Sequence, residues 1–182
     1  MGKKKRKKSN GIASFVLKTG LFILSVLFIA FLMSEYVVSR VEVHNHSMDH
    51  TLENGDDVLI DKISYRFHSP KRFDIIVFRV KGSSEELIKR VIGLPGETVQ
   101  IENGRFFIDG EEIEDYKGLD KPEYAGIAAT PVKLASDEYF VVGDNRKESI
   151  DSRYEDVGLV AFPRITGRMF MRILPFRRFK IF

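Results

Sequence analysis

Apolar residues run almost unbroken from Ile12 to Val38, and beyond that point they come only in short bursts. The first stretch centres on Leu21-Phe22-Ile23-Leu24-Ser25-Val26-Leu27-Phe28-Ile29-Ala30-Phe31-Leu32-Met33. Val16 to Tyr36 reaches the ~20 residues that a bilayer core demands, provided Lys18 carries its ammonium to the interface. The pattern predicts one transmembrane helix within residues 12–38. A cleavable secretory signal ending near Val37-Val38-Ser39 is the competing reading, but the apolar run is long for such a segment and no Ala-x-Ala follows it.

The later bursts have a different period. Val41-x-Val43 alternates, while Val58-Leu59-Ile60, Ile75-Ile76-Val77-Phe78, Leu87–Ile92 and Tyr139-Phe140-Val141-Val142 are compact runs of β-branched and aromatic residues. Asn103-Gly104 and Asp109-Gly110 flank Arg105–Ile108, which is the sequence signal for two tight hairpins. Residues 39–182 are therefore expected to form a mainly antiparallel β domain. Residues 115–131 have few periodic apolar positions and read as a long loop. The end of the chain, from Met169 to Phe182, mixes aromatic and basic residues; it suits either contact with lipid headgroups or a last strand and tail that close the core.

Charge adds an orientation. Residues 1–18 hold seven Lys or Arg and no acid, six of them in the block Lys3–Lys8. The other residues carry 22 basic and 26 acidic side chains, so the formal +3 of the whole chain belongs to its N-terminus. That distribution removes the main support for nucleic-acid binding. It predicts a basic cytoplasmic tail, residues 1–11, with the β domain on the far side of the membrane. Cysteine is absent, which excludes thiol catalysis and thiolate metal sites, and an exported domain of about 140 residues can rest on its core without disulfides.

Candidate chemistry gathers at Ser47. A serine hydroxyl is a weak nucleophile until a base lies within hydrogen-bond reach. His44, His46 and His50 crowd around it, yet His46 is its immediate neighbour and in an extended segment would point to the opposite face. Lys89 is the better base. Leu87, Ile88, Val91 and Ile92 surround it with apolar side chains, and desolvation disfavours the ammonium and lowers its pKa; a lysine tuned to roughly 7–8 serves as a general base near neutral pH. The run Gly143-Asp144-Asn145-Arg146-Lys147-Glu148-Ser149-Ile150-Asp151-Ser152-Arg153 follows an apolar strand and reads as a structured loop of the kind that carries function. The competing use of the histidines is a metal site made by His44 and His46 with His50 or Asp49; no further His or Cys ligand stands nearby, and no metal or other cofactor is expected.

Taken in order, the anchor, the box Ser47-Met48-Asp49-His50-Thr51-Leu52, the run Gly55-Asp56-Asp57-Val58-Leu59-Ile60, the box Lys89–Gly96 and the loop Gly143–Arg153 resemble the type I signal peptidases, the membrane-bound serine proteases that remove signal peptides from exported proteins. The single anchor and compact β part look like the Gram-positive version. The resemblance implies that Ser47 attacks the scissile carbonyl and Lys89 takes its proton. It implies an oxyanion site made by the Ser47 N–H and a second donor at Asn45, and a hydrogen bond from Ser149 that orients Lys89. It further implies an ion pair of Asp151 with Arg153, and Asp144 and Arg146 as shapers of the same loop. Val43, Met48, Leu52, Leu87 and Ile88 are the candidate lining of the substrate pockets, with exported preproteins and the lipid bilayer as partners. Two positions depart from the family pattern: His50 stands where most relatives have proline, and Asn45 where many have Gly or Ser. The alternative is a non-proteolytic assembly factor for surface proteins or pili. The related self-cleaving repressors are soluble and DNA-bound, which the anchor argues against.

Overall fold

The computed structural model describes residues 7–182. Four residues of the basic block, Lys3 to Arg6, lie outside them. The chain divides into two compact units between Val38 and Ser39. The first holds α1 (Lys7–Tyr36), within which Gly11–Ser34 is a 24-residue stretch of mean hydropathy 2.4, long and apolar enough to cross a membrane. Its apolar side chains, Phe15, Phe22, Leu24 and Leu27 among them, are exposed, as they must be if lipid is their solvent.

The second unit is antiparallel β. Its strands are β1 (Val38–Glu42), β2 (Asp57–Asp61), β3 (Ile75–Arg79), β4 (Glu86–Gly93), β5 (Thr98–Glu102), β6 (Arg105–Ile108), β7 (Glu111–Glu112), β8 (Val132–Lys133), β9 (Glu138–Val142), β10 (Val160–Ala161), β11 (Ile165–Leu174) and β12 (Lys180–Ile181). One sheet runs in the order β1-β2-β11-β3-β4-β9-β10, with β12 added to β11; a smaller one runs β7-β6-β5-β8. The hairpins fall where the dipeptides place them: Asn103 and Gly104 have φ of 51° and 70°, Asp109 and Gly110 of 52° and 88°, the left-handed pairs that a primed turn requires.

Strand β3 shows how the main sheet is buried. Its apolar run does not alternate with polar residues because both faces are covered. Ile75 and Val77 join Val43, Met48, Leu52, Val58, Ile60 and Met169 in one cluster, while Ile76 and Phe78 join Val91, Tyr139, Val141 and Val160 in another. A third cluster, with Ile92, Val99, Ile101, Phe106 and Phe140, holds the small sheet to the large one.

Polar pins complete the frame near the chain's crossing points. Arg40 of β1 grips Asp57 of β2 through two hydrogen bonds of 2.7 and 2.6 Å. Asp56, fully buried, accepts from Arg172 at 3.1 Å, from Arg178 and from the Glu53 N–H at 2.9 Å, so the segment between β1 and β2 is tied to the end of β11. The long loop expected over 115–131 runs from the end of β7 to the start of β8 and contains a short 3-10 helix at Gly126–Ala129, whose Ala128 is buried in the third cluster. At the C-terminal end the long strand β11 is followed by the two-residue β12, which folds back on it, and Phe176, Phe179 and Ile181 are exposed.

Candidate active site

The site begins where β1 stops. Val43 donates its N–H to Asp56 O and accepts from Gly55 N–H, both at 2.8 Å, which closes the chain on itself and forces a sharp bend. Asn45 takes the bend with a φ of 142°, a conformation unusual for any residue with a side chain. A helical turn follows, in which Met48 O accepts from Thr51 N–H and Leu52 N–H. Met48 and Leu52 sink into the core and anchor that turn, leaving Ser47 at its start. His50, at φ 79°, holds a conformation closed to proline, whose ring locks φ near −65°; the turn beyond the serine therefore follows a path that a proline there could not take.

Lys89 comes from the middle of β4, opposite Ile76 of β3, and is 1% exposed. It donates from Nζ to Ser47 Oγ at 2.6 Å. Burial among apolar side chains pulls its pKa from 10.5 down to about 8, with the negative charges of Asp151 and Asp144 opposing a larger fall. Ser47 Oγ in turn donates to Asn45 Oδ1 at 2.8 Å, and the Ser47 N–H reaches the same oxygen at 3.2 Å. Asn45 thus faces the serine as an acceptor, opposite to the donor expected of it, because the bend turns its side-chain carbonyl back onto Ser47.

Beneath the pair lies the loop that leaves β9. Gly143 N–H donates to Asp151 Oδ2 at 2.9 Å, and Asp151 holds Arg153 through two bonds of 2.8 Å. The Arg153 guanidinium then donates to Arg146 O at 2.8 Å and Ser149 O at 3.1 Å, so the loop is wound around one buried cation. Asn145 joins this loop to the nucleophile turn: its N–H reaches Ser47 O at 3.1 Å and its Nδ2 reaches His46 O at 3.0 Å. Gly143 is the contact point. A Cβ there would stand 2.1 Å from Ser149 Oγ and 2.4 Å from Ser47 O, so only glycine allows this approach.

Asp144 and Arg146 reach outward from the loop. Asp144 is gripped by Arg90 through bonds of 2.8 and 2.6 Å, both side chains buried, and Arg90 also donates to Phe73 O at 2.9 Å. Arg146 pairs with Asp115 at 2.8 and 2.9 Å. Burial pushes the Asp115 carboxyl up and the Arg146 guanidinium down from their ordinary values, and each answers the other only in part. Arg146 Nε and Nη1 have no hydrogen-bond partner among the described residues, but its guanidinium lies 5.1 Å from the Phe106 ring centroid. Next to Asp115, the Tyr116 ring stacks 4.0 Å from the Arg90 guanidinium. The long loop is strapped to the site by these two neighbours.

Several expected positions fall elsewhere. Ser149 is buried against Gly143, yet its Oγ has no hydrogen-bond partner among the described residues; Lys89 turns its ammonium to Ser47 instead. A cleft of about 210 Å³ is lined by Val43, Met48 and Ile88, together with Val41, Glu42, His44, Asn45, Val77 and Glu86. Leu87 and Leu52 are not part of it. Successive strand residues face opposite ways, so with Ile88 in the cleft Leu87 packs toward Ile76 and Phe78, and Leu52 is the core anchor of the turn. The histidines disperse: His46 pairs with Asp49 at 2.9 Å, and His50 faces Asp120 at 3.7 Å. Among the described residues, no group of three metal-ligating side chains forms. Arg90, Asn145 and Asp115 were not singled out by sequence. The only signal for Arg90 was a second charge beside Lys89 in a largely apolar strand.

Comparison with known proteins gives a consistent set of matches. The family model described as signal peptidase, peptidase S26, matches residues 16–174. A probable signal peptidase I-2 from Synechocystis sp. is 32% identical over 95% of this chain and 80% of its own length. A signal peptidase I from Leptolyngbya laminosa is 39% identical over 79% of this chain and 72% of that protein, and signal peptidase I P from Bacillus subtilis subsp. natto is 36% identical over 90% and 91%.

Proposed function

The chain belongs to the signal peptidase family, peptidase S26, and from that membership we propose that it is a membrane-bound serine endopeptidase that cleaves signal peptides from exported preproteins with Ser47 as nucleophile and Lys89 as base. The observation that carries this reading is the buried 2.6 Å contact between Lys89 Nζ and Ser47 Oγ.

In its neutral form Lys89 removes the hydroxyl proton as Oγ bonds to the scissile carbonyl carbon. The developing oxyanion needs donors aimed at it, and the Ser47 N–H faces that position. Collapse of the tetrahedral intermediate expels the amine of the mature protein, which takes the proton back from Lys89. Water, deprotonated by the same lysine, then releases the signal peptide from Ser47. The loop 143–153 acts on this chemistry by position: Asn145 holds the two carbonyls of the nucleophile turn, while Asp151 and Asp144 temper the loss of charge on Lys89.

An extended substrate segment fits between β1 and β4, where Val43, Met48 and Ile88 supply apolar walls and strand-like pairing supplies register. A cleft of about 210 Å³ suits the small side chains of an Ala-x-Ala end. Helix α1 is the membrane anchor, and the basic residues before it keep the N-terminus cytoplasmic, so that residues 39–182 work outside the membrane. The relatives are named as signal peptidases, and no feature of the site favours a non-proteolytic assembly role.

The test is cleavage of a preprotein bearing an Ala-x-Ala site by the full chain in detergent. Wild type is expected to cut at that site, with Lys89→Ala and Ser47→Ala inactive although folded. No cleavage of several preproteins by well-folded wild type would overturn the assignment.

A further inference from the structure

Asn45 occupies ground that the substrate needs. Its Oδ1 accepts from Ser47 Oγ at 2.8 Å and from the Ser47 N–H at 3.2 Å. Oxygen rather than nitrogen must stand there, because a backbone N–H only donates and a flipped amide would set two donors face to face. A carbonyl attacked by Ser47 has to place its own oxygen against that same N–H. The resting site therefore holds, in its own side chain, an imitation of the oxygen it will later bind.

We propose that Asn45 is a displaceable plug of the oxyanion position, a positioning residue that each substrate carbonyl must push aside before Ser47 can attack. The inference rests on the reading of Ser47 as nucleophile and Lys89 as base.

Two further observations give the plug its properties. Asn45 is exposed, and its main-chain N–H is held by Asn54 Oδ1 at 3.1 Å. The side chain can swing into solvent while the backbone stays where the bend puts it. The hydrogen bonds also run in one direction, from Lys89 Nζ to Ser47 Oγ and from Ser47 Oγ to Asn45 Oδ1. Catalysis needs the reverse sense at the first link, with the hydroxyl donating to a neutral amine. Asn45 competes with Lys89 for the hydroxyl proton, so it favours the ammonium in the free enzyme. A substrate that displaces Asn45 removes that competition as it arrives.

The test uses the full chain in detergent and the variants Asn45→Gly and Asn45→Asp. Two readouts are taken: the pH dependence of preprotein cleavage, and the titration of Lys89 followed by NMR of 13Cε-labelled lysine, assigned with Lys89→Ala. Glycine removes the oxygen and suits the backbone at a φ of 142°. It is expected to raise kcat/KM about fivefold, the worth of one net hydrogen bond, with the gain in KM, and to move both the Lys89 titration and the acidic limb of kcat/KM to lower pH. Aspartate keeps an oxygen in place and adds charge. It is expected to lower kcat/KM and move the titration to higher pH. A fall in kcat for Asn45→Gly would make Asn45 an oxyanion donor and overturn the plug, and so would a Lys89 titration that neither variant moves. If no form cleaves any preprotein, the protease assignment falls and the plug falls with it, whereas cleavage by wild type with no gain in Asn45→Gly overturns the plug alone.

Discussion

At physiological pH Lys89 is mostly in the form that cannot act. With its pKa pulled down to about 8 by burial, roughly a tenth of the molecules carry a neutral amine at pH 7. Cleavage by the wild-type chain is expected to climb with pH along a single limb with its midpoint near 8, and a profile of kcat/KM from pH 5 to 10 checks this. His46→Ala and His50→Ala are expected to keep that limb, since each histidine faces a carboxylate away from Ser47; loss of the limb in either would reassign the base. The same burial has a stability consequence of definite sign. The folded protein binds the Lys89 proton less tightly than the unfolded chain, so this group destabilises most below about pH 8, and the deficit is recovered as pH rises toward 10.5. Lys89→Met should therefore abolish cleavage yet stabilise the fold at pH 7 by on the order of 2 kcal/mol, a gain that chemical denaturation would show shrinking as pH rises from about 8 toward 10.5. The direction of the lysine's shift was legible in sequence, because four apolar neighbours announce desolvation. The polarity of Asn45 was not, because it follows from a bend that exists only after Val43 has closed on Gly55 and Asp56.

Among the elements, the loop 143–153 carries most of the precision. Its Gly, Asp, Asn and Ser content marked it as structured, and its Asp151–Arg153 pair is local enough in sequence to anticipate. What sequence could not supply are its distant partners Arg90 and Asp115, and the reach of Asn145 to the nucleophile turn. Gly143→Ala tests this loop most directly. The added methyl meets the Ser149 side chain and also a main-chain oxygen of Ser47, which cannot swing aside as a side-chain end can, so the nucleophile has to move. Cleavage is expected to drop by about a hundredfold, the cost of misplacing a reacting group by about an ångström, while circular dichroism shows the β fold retained. Strand β11 was legible only in part for a different reason. Its pairings shift register between Met169 and Met171, between Arg172 and Leu174 and between Ile165 and Gly167, and each bulge breaks the two-residue period by which a strand is recognised. The hairpins, set by two dipeptides, were readable for the opposite reason.

For the molecule as a whole, the division between anchor and β unit and the antiparallel class followed from the change of hydrophobic period near Val38, and the sheet order did not. No stretch of sequence says that the last long strand belongs in the middle. The chain has no cysteine, and the site works through oxygen and nitrogen atoms of Ser47 and Lys89. Excess chelator and excess thiol reductant are each expected to leave the rate of preprotein cleavage unchanged; inhibition by the chelator, reversed by added metal, would show that a cation takes part.

The place of β11 between β2 and β3 sets a clock on the appearance of activity. The serine precedes β2 and the lysine follows β3, and these two strands are not neighbours; β11, the last long strand, is the clasp between them. During synthesis Ser47 and Lys89 both leave the ribosome long before Ile165 does, yet the sheet that aligns them stays open until the residues up to Leu174 have emerged. A chain cut before Ile165 is therefore expected to carry both halves of the dyad without the strand that bridges β2 to β3, and to show no cleavage.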